Sequence, residues 1–164
     1  MNFEEMKQFD EDEDTQLGRY LTFAVDDEEY GVEIRFVTEI IGMQSINTLP
    51  EVPSFVKGVV NLRGKIIPVI DMRTKFGKIE APYTDRTCIV VVETRSLAAG
   101  LIVDQVSDVM VIGQSNIVPP PDVQLPNSHR YVCGIGKVGA DVKLLIDCER
   151  LFNDSEANSI ERIK

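Results

Sequence analysis

Apolar residues in this chain occur in short runs, many of them β-branched, and polar residues with glycine or proline separate the runs. Short apolar or alternating runs bounded by turn residues are typical of β-strands. The run around Val90 is apolar at every position and predicts a central strand that is buried on both faces. The pattern predicts a mostly β protein with strands over residues 19–25, 30–33, 39–43, 55–62, 66–70, 86–93, 97–103, 106–112, 131–138 and 142–146.

Short helical segments interrupt this series of strands. Asp71 precedes residues 72–76 and Gly77, which is the order of an N-cap side chain, a short helix and a terminating glycine. Asp147 precedes a similar segment that ends near Phe152. Residues 34–37 are predicted to form a further helical turn, and the proline-rich residues 118–130 a long loop.

The two halves of the chain resemble each other. A shift of 69 positions places Gly31 on Gly100, and a shift of 76 places Gly58 on Gly134. The second shift also places Asp71 on Asp147 and Phe76 on Phe152, whereas Arg63 falls on Gly139. This duplication predicts two small units of about five strands each, and such units close most naturally as barrels.

The predicted domain organisation follows from this duplication. The first unit spans about residues 17–77 and the second about 84–152, within one folded region over 17–152. Each unit would be marginal by itself, so the two are expected to share an apolar core and to unfold together. Residues 1–16 are predicted to be a disordered acidic tail, and residues 153–164 a charged C-terminal tail.

The net charge of −10 at pH 7 disfavours binding to phosphate backbones and to anionic lipid. Seven acidic residues lie within residues 1–17, so the rest of the chain is only mildly acidic. A basic patch therefore stays open as an interpretation. It would consist of Lys57, Arg63, Lys65, Arg73 and Lys75.

The sequence offers little for catalysis or metal binding. The cysteines Cys88, Cys133 and Cys148 are widely spaced, so we expect buried or half-buried free thiols in a reducing cytoplasm. His129 has no partner at metal-ligand or catalytic spacing. No run approaches the roughly 18 apolar residues of a membrane span, and the acidic N-terminus is unlike a signal peptide. We expect a cytoplasmic binding module without catalytic residues, metal or cofactor.

Polar residues are concentrated in the central hairpin, where two apolar runs flank Arg63-Gly64-Lys65. Asn61 and Arg63 lie two positions apart and would share one face of a strand. Since only the first unit has this arginine, we expect Glu39 to pair with Arg63 across neighbouring strands and to fix its orientation. The ion pair would add about 0–1 kcal/mol to stability.

The segment from Phe55 to Gly64 (FVKGVVNLRG), followed by residues 68–73 (PVIDMR), resembles the signature of the CheW family, the coupling proteins of bacterial chemotaxis. The likeness extends from about Gln16 to Phe152. It implies two intertwined five-stranded SH3-like barrels with short helices. It also implies a non-enzymatic adaptor that bridges the chemotaxis histidine kinase, through its regulatory domain, and the cytoplasmic tip of methyl-accepting chemoreceptors.

The resemblance also implies where the partners bind. A groove between the barrels would accept the helices of the receptor tip, with Val103 or Val106 from the second unit as further lining. An apolar hairpin surface would contact the kinase through Asp26, Tyr30 and Val32. The expected receptor-binding residues are Val37, Glu39, Val59, Asn61, Leu62, Arg63 and Gly64.

Two alternatives stay open. The same adaptor role in a non-flagellar chemosensory pathway would leave every residue assignment unchanged. A small nucleic-acid-binding β-barrel would need a basic face with exposed aromatic residues, and the net charge opposes it. For both adaptor hypotheses, we expect no nucleic acid partner and no direct insertion into the membrane. The adaptor would instead be recruited to membrane receptor arrays.

Overall fold

The computed structural model describes residues 18–95, 97–120 and 130–152, and this part of the chain is mostly β, as predicted. The predictions for residues 1–16 and 153–164 and for most of the proline-rich loop lie outside the described residues. The strands are β1 (Arg19–Val25), β2 (Glu28–Glu33), β3 (Val37–Gly42), β4 (Val56–Leu62), β5 (Lys65–Asp71), β6 (Cys88–Glu93), β7 (Ala98–Val103), β8 (Gln105–Val111), β9 (Ile117–Val118), β10 (Val132–Val138) and β11 (Asp141–Ile146); the helices are α1 (Met72–Lys75) and α2 (Cys148–Phe152), with 3-10 turns at Ile34–Phe36 and Gln114–Asn116.

The strands form two sheets. One has the order β8-β1-β2-β11-β10-β9, and the other has the order β3-β6-β7-β5-β4. Strand β6 lies between β3 and β7, which confirms the central strand predicted around Val90. Strand β9 was not predicted, because it has two residues and lies at the start of the proline-rich region, where periodicity gives no signal. The unit boundaries at 77 and 84 stay a prediction.

The two sequence repeats exchange strands. Strand β5 pairs in parallel with β7, and Val69 lies opposite Gly100. Strand β11 pairs in parallel with β2, and Leu145 lies opposite Gly31. The two pairings are equivalent in the repeat, because Gly31 corresponds to Gly100 and Val69 corresponds to Leu145. Each sheet therefore contains strands from both repeats, which is the intertwined arrangement that was expected.

Each sheet closes on itself through the segment that follows its edge strand. Asn47, beyond the end of β3, forms an isolated bridge with Val59 on β4, and the two backbone hydrogen bonds are both 2.9 Å long. In the other sheet β9, which follows β8, pairs with β10. These contacts satisfy the backbone groups of strands that would otherwise be open edges.

The apolar core formed by the described residues has three parts. The largest lies between the sheets and takes residues from both repeats, so the prediction of a shared core is confirmed. Two smaller clusters fill the individual barrels, one around Val60, Ile67 and Ile89 and the other around Tyr20, Ile112 and Leu145. Full burial of one large apolar side chain contributes about 1.5–3 kcal/mol. The shared part includes Phe23, Tyr30, Val37, Phe76, Val90 and Phe152.

Aspartates begin both short helices, as predicted. The Asp71 carboxylate accepts hydrogen bonds from the backbone N–H groups of Arg73 and Thr74, at 2.9 and 3.5 Å. Asp147 accepts from the equivalent groups of Glu149 and Arg150, at 3.0 and 3.1 Å. Both caps satisfy N–H groups that have no partner within the helix.

A cluster of charged residues, which we call the Arg73 clasp, joins α1 to two turns. The clasp consists of Arg73, Asp104, Asp26 and the carbonyl of Ile79. Arg73 donates to the Asp104 carboxylate from Nε at 2.9 Å and from one terminal nitrogen at 2.7 Å. Its other terminal nitrogen donates to the Ile79 carbonyl at 2.8 Å and lies 3.6 Å from Asp26. Because Asp26 lies between β1 and β2 and Asp104 between β7 and β8, the clasp connects both sheets.

We expect the clasp to make stability depend on acid. Burial raises the pKa of the Asp104 carboxyl, but hydrogen bonds from Arg73 and from the Asp26 N–H outweigh burial and hold that pKa below its usual value. A depressed folded-state pKa contributes stability that is complete above the unfolded value of about 3.9 and is lost as the pH falls through the folded value. Asp104→Asn should therefore flatten the decline of unfolding free energy below about pH 4, measured by urea denaturation. Identical declines in both proteins would contradict this.

Candidate functional site

The centre of the candidate site is the two-residue turn between β4 and β5. Both turn residues have positive φ, +51° at Arg63 and +89° at Gly64, as in a type I′ turn. Gly64 meets the expectation for a glycine at this place. Arg63 lies beyond the end of β4 and not on the strand, so the predicted shared strand face with Asn61 is wrong. The turn instead carries the arginine outward at the tip of the hairpin.

Arg63 forms an ion pair with Glu39, so this predicted pairing is confirmed. The Arg63 side chain is 70% exposed and the Glu39 side chain 19% exposed. Glu39 lies on β3 and Arg63 follows β4, and these two strands are not hydrogen-bonded neighbours because they are the two edges of the five-stranded sheet. The ion pair therefore joins the edges that meet when this barrel closes. It fixes one end of a guanidinium that remains open to solvent.

Asn61 lies directly beneath this turn. Its side-chain oxygen accepts a hydrogen bond of 2.8 Å from the backbone N–H of Gly64. Asn61 is itself exposed, and Leu62 between them is half-buried and packs against the core of the small barrel. The structure therefore brings Glu39, Asn61, Arg63 and Gly64 together at one surface, which we call the Arg63 surface.

Other predicted receptor residues lie beneath this surface and not on it. The Val37 side chain is fully buried in the shared core. Val59 is 9% exposed, and its backbone forms hydrogen bonds with the backbone of Asn47. Val103 is buried as well, whereas Val106 is half-buried. Strands β4 and β7 are buried at most positions, so alternation along the sequence did not separate inner from outer positions there.

The predicted kinase-contact residues divide in the same way. Asp26 is exposed at the β1–β2 turn and has a φ of +57°. Tyr30 and Val32 have no exposed surface, because both point into the core between the sheets. The Tyr30 ring stacks on Phe76 with ring centroids 4.8 Å apart. Tyr30 and Val32 can therefore support a surface at this hairpin but cannot touch a partner.

Sequence reasoning missed Ile66 as a surface residue. Ile66 is 52% exposed and lies directly opposite Asn61 in the β4–β5 pair. Its place in an apolar run indicated burial. A two-residue turn at Arg63-Gly64 places Ile66 opposite Asn61, and residues that are opposite each other on paired strands share a face of the sheet. The turn type was therefore the signal in the sequence that could have predicted the exposure of Ile66.

The expected basic patch is not a continuous exposed surface. The Arg73 side chain is 18% exposed within its clasp, and Lys75 is buried with its ammonium 3.9 Å from the Phe55 ring centroid. Lys57 pairs with Glu80 at 2.9 Å. Carboxylates pair with Lys57, Arg63 and Arg73, and Lys75 is withdrawn from the surface, so the residues form a poor track for a phosphate backbone.

The cysteines differ in their surroundings. Cys88 is half-buried and Cys148 buried, but Cys133 is exposed, contrary to the expectation of burial. The Cys133 thiol donates a hydrogen bond of 3.5 Å to the Leu145 carbonyl. Burial raises the pKa of Cys148 to about 12, so this thiol stays protonated and unreactive near neutral pH.

No group of three or more His, Cys, Asp or Glu side chains among the described residues could hold a metal ion. Within the same ranges, no helix is long and apolar enough to cross a membrane.

The two intertwined barrels define a double SH3-like β-barrel domain. In this domain the tip of one hairpin carries an arginine that an ion pair holds in place. The model of the family described as the CheW-like domain matches residues 19–156. The chain is 34% identical over 144 residues to chemotaxis protein CheW of Klebsiella aerogenes, and this alignment covers 88% of this chain and 87% of that protein. It is 35% identical over 102 residues to protein FrzA of Myxococcus xanthus, with 62% and 64% covered.

A solved structure gives the same result. The crystal structure of scaffolding protein TtCheW from Thermoanaerobacter tengcongensis has a TM-score of 0.77 and 37% sequence identity to this chain. The likeness covers 85% of this chain and 94% of that one. The chain belongs to the CheW-like domain family.

Proposed function

We propose that this protein is a non-enzymatic adaptor that couples methyl-accepting chemoreceptors to the chemotaxis histidine kinase in arrays that control motility. The observation that carries the proposal is the exposed Arg63, held by Glu39 at the tip of a hairpin in a CheW-like domain. The names of the relatives, chemotaxis protein CheW and a scaffolding protein, support it. An adaptor of this kind works on the cytoplasmic side of the membrane and needs neither cofactor nor metal.

The proposed receptor site is the Arg63 surface, with Leu62 and Ile66 at its margin. A guanidinium beside the aliphatic side chains of Leu62 and Ile66 can bind a carboxylate and an apolar side chain on the surface of a helix. Glu39 limits the orientations that Arg63 can take, so less side-chain entropy is lost on binding. Val37 and Val59 support the surface from within.

The proposed kinase site is the hairpin turn around Asp26. The histidine kinase regulatory domain has the same double-barrel architecture in the family, so the contact would join one barrel to another. The exposed turn supplies the contact, while Tyr30 and Val32 hold its two strands from inside the core. The two proposed sites use different sheets, which allows both partners to bind together.

A three-component binding experiment tests this proposal. The purified chain would be mixed with a receptor cytoplasmic fragment and the histidine kinase from the same cell, and complexes separated by size-exclusion chromatography. We expect a ternary complex that requires the adaptor. Kinase binding without receptor binding would overturn the receptor site and keep the kinase site. If neither protein bound, the adaptor role would be refuted.

A further inference from the structure

The conformation of Arg63 is unusual for an arginine. A φ of +51° is disfavoured for any residue with a Cβ atom, and glycine or asparagine normally occupies such positions. An exposed hairpin tip could carry glycine here without this cost. Something in the hairpin must therefore stabilise the left-handed conformation of the arginine.

The second repeat provides an internal comparison. Arg63 corresponds to Gly139, which has a φ of +61° in the turn between β10 and β11. The same backbone geometry is thus reached with glycine where no arginine is displayed. Asn61 corresponds to Lys137, whose ammonium cannot accept a hydrogen bond from the turn. The asparagine and the left-handed arginine therefore occur together in one repeat and are both absent from the other.

The acidic partner differs between the repeats as well. Glu39 corresponds to Asp108, and both lie opposite the equivalent position of the neighbouring strand, Val91 and Thr22. Glu39 reaches across the barrel closure to Arg63. Asp108 instead accepts a hydrogen bond of 2.8 Å from the N–H of Val109. Among the contacts of the described residues, only those in the first repeat hold the turn residue from both ends, the backbone through Asn61 and the side chain through Glu39.

We propose that Asn61 is a positioning residue: its side-chain oxygen holds the Gly64 N–H and so keeps Arg63 in the left-handed conformation that presents the guanidinium to the receptor. This inference rests on the proposed function, and it changes the role of Asn61 from a contact to a support. Asn61 acts through Arg63 and makes no contribution to binding once the arginine side chain is removed.

The test uses four variants of the full chain: Asn61→Leu, Asn61→Asp, Arg63→Ala and the double variant Asn61→Leu with Arg63→Ala. Leucine has a similar size to asparagine but no acceptor, whereas aspartate keeps an acceptor oxygen in the same place. Two quantities are measured, the exchange rate of the Gly64 amide by NMR and the Kd for a receptor cytoplasmic fragment. Lys137→Leu, at the equivalent position of the second hairpin, is the matched control.

We expect Asn61→Leu to speed exchange of the Gly64 amide by about tenfold and to weaken receptor binding by about tenfold. Asn61→Asp should keep the slow exchange and bind the receptor more tightly than Asn61→Leu. In the Arg63→Ala background, Asn61→Leu should cause no further loss of binding, because the two residues act as one unit. Lys137→Leu should change neither quantity.

Two results would overturn the inference. Additive losses in the double variant would make Asn61 a direct receptor contact, and unchanged exchange of Gly64 in Asn61→Leu would mean that the side chain does not hold the turn. Thermal melting confirms that each variant is folded. A wild-type chain that does not bind the fragment would refute the proposed function instead, and with it the purpose of the positioned arginine, whereas Gly64 exchange would still report whether Asn61 holds the turn.

Discussion

Gly58→Ala is expected to remove about 4 kcal/mol or more of unfolding free energy, a large share of the roughly 5–15 kcal/mol that a domain has in total. A Cβ atom at Gly58 would lie 2.1 Å from the Asn47 carbonyl oxygen and 2.7 Å from its carbon. Gly58 also has a φ of +147°, which side chains rarely adopt. The obstacle is backbone, so relief requires separating Asn47 from Val59 and opening the barrel. Urea denaturation of both proteins measures the difference.

Alanine substitutions at two other glycines provide comparisons for the loss of unfolding free energy expected at Gly58. At Gly134, the equivalent position in the second repeat, an added Cβ would meet the Ile117 side chain at 3.0 Å, and a side chain can rotate away. Gly134→Ala should therefore cost clearly less than Gly58→Ala. At Gly113 no atom of the described residues lies within 4 Å of the added Cβ, so Gly113→Ala should stay within about 0.5 kcal/mol of wild type. Equal losses at Gly58 and Gly113 would mean that closure of the barrel does not depend on Gly58.

The strands and caps were predictable because their causes are local. Alternation, turn residues and an aspartate before a short helix act over a few positions, and these predictions are confirmed around Asp71 and Asp147. The parallel pairings were not predictable from periodicity, because nothing local in β5 selects β7 as its partner. The intertwined arrangement came from the family resemblance. The duplication was nevertheless sufficient to single out Arg63, since its equivalent is Gly139.

Burial was the harder property to predict. Tyr30 and Val32 lie on β2, where three successive positions are buried, so polar neighbours along the chain did not mark a solvent face. Val37 is buried at the start of β3, although the rest of that strand is exposed or half-buried. The burial of charged residues was hard to predict for a related reason. Lys75 is buried with its ammonium 5.0 Å from the Tyr131 ring centroid as well as near Phe55, the residue that corresponds to Tyr131 in the first repeat. Such a contact depends on two segments that are distant in sequence and meet only in the folded protein.

Arg63→Glu is expected to weaken binding of a receptor cytoplasmic fragment by about 30-fold or more, which corresponds to about 2 kcal/mol. The substitution removes the guanidinium and places a second carboxylate beside Glu39, so the new side chain is repelled from the pose that the arginine held. Because the Arg63 side chain is 70% exposed, the unfolding free energy should change by no more than about 1 kcal/mol. Isothermal titration calorimetry and thermal denaturation on the same preparations measure both quantities.

Lys65→Glu is the matched control, since it makes the same change of charge two residues further along the hairpin, at a side chain that is also exposed. A general electrostatic attraction between adaptor and receptor would weaken binding equally in both variants, and would do so less at high salt. A placed arginine predicts a much larger loss at position 63 than at 65. Kinase binding serves as the internal reference, because the proposed kinase turn lies in the other sheet. If Arg63→Glu lost kinase and receptor binding together with its thermal stability, Arg63 would be a structural residue and the receptor site would lie elsewhere.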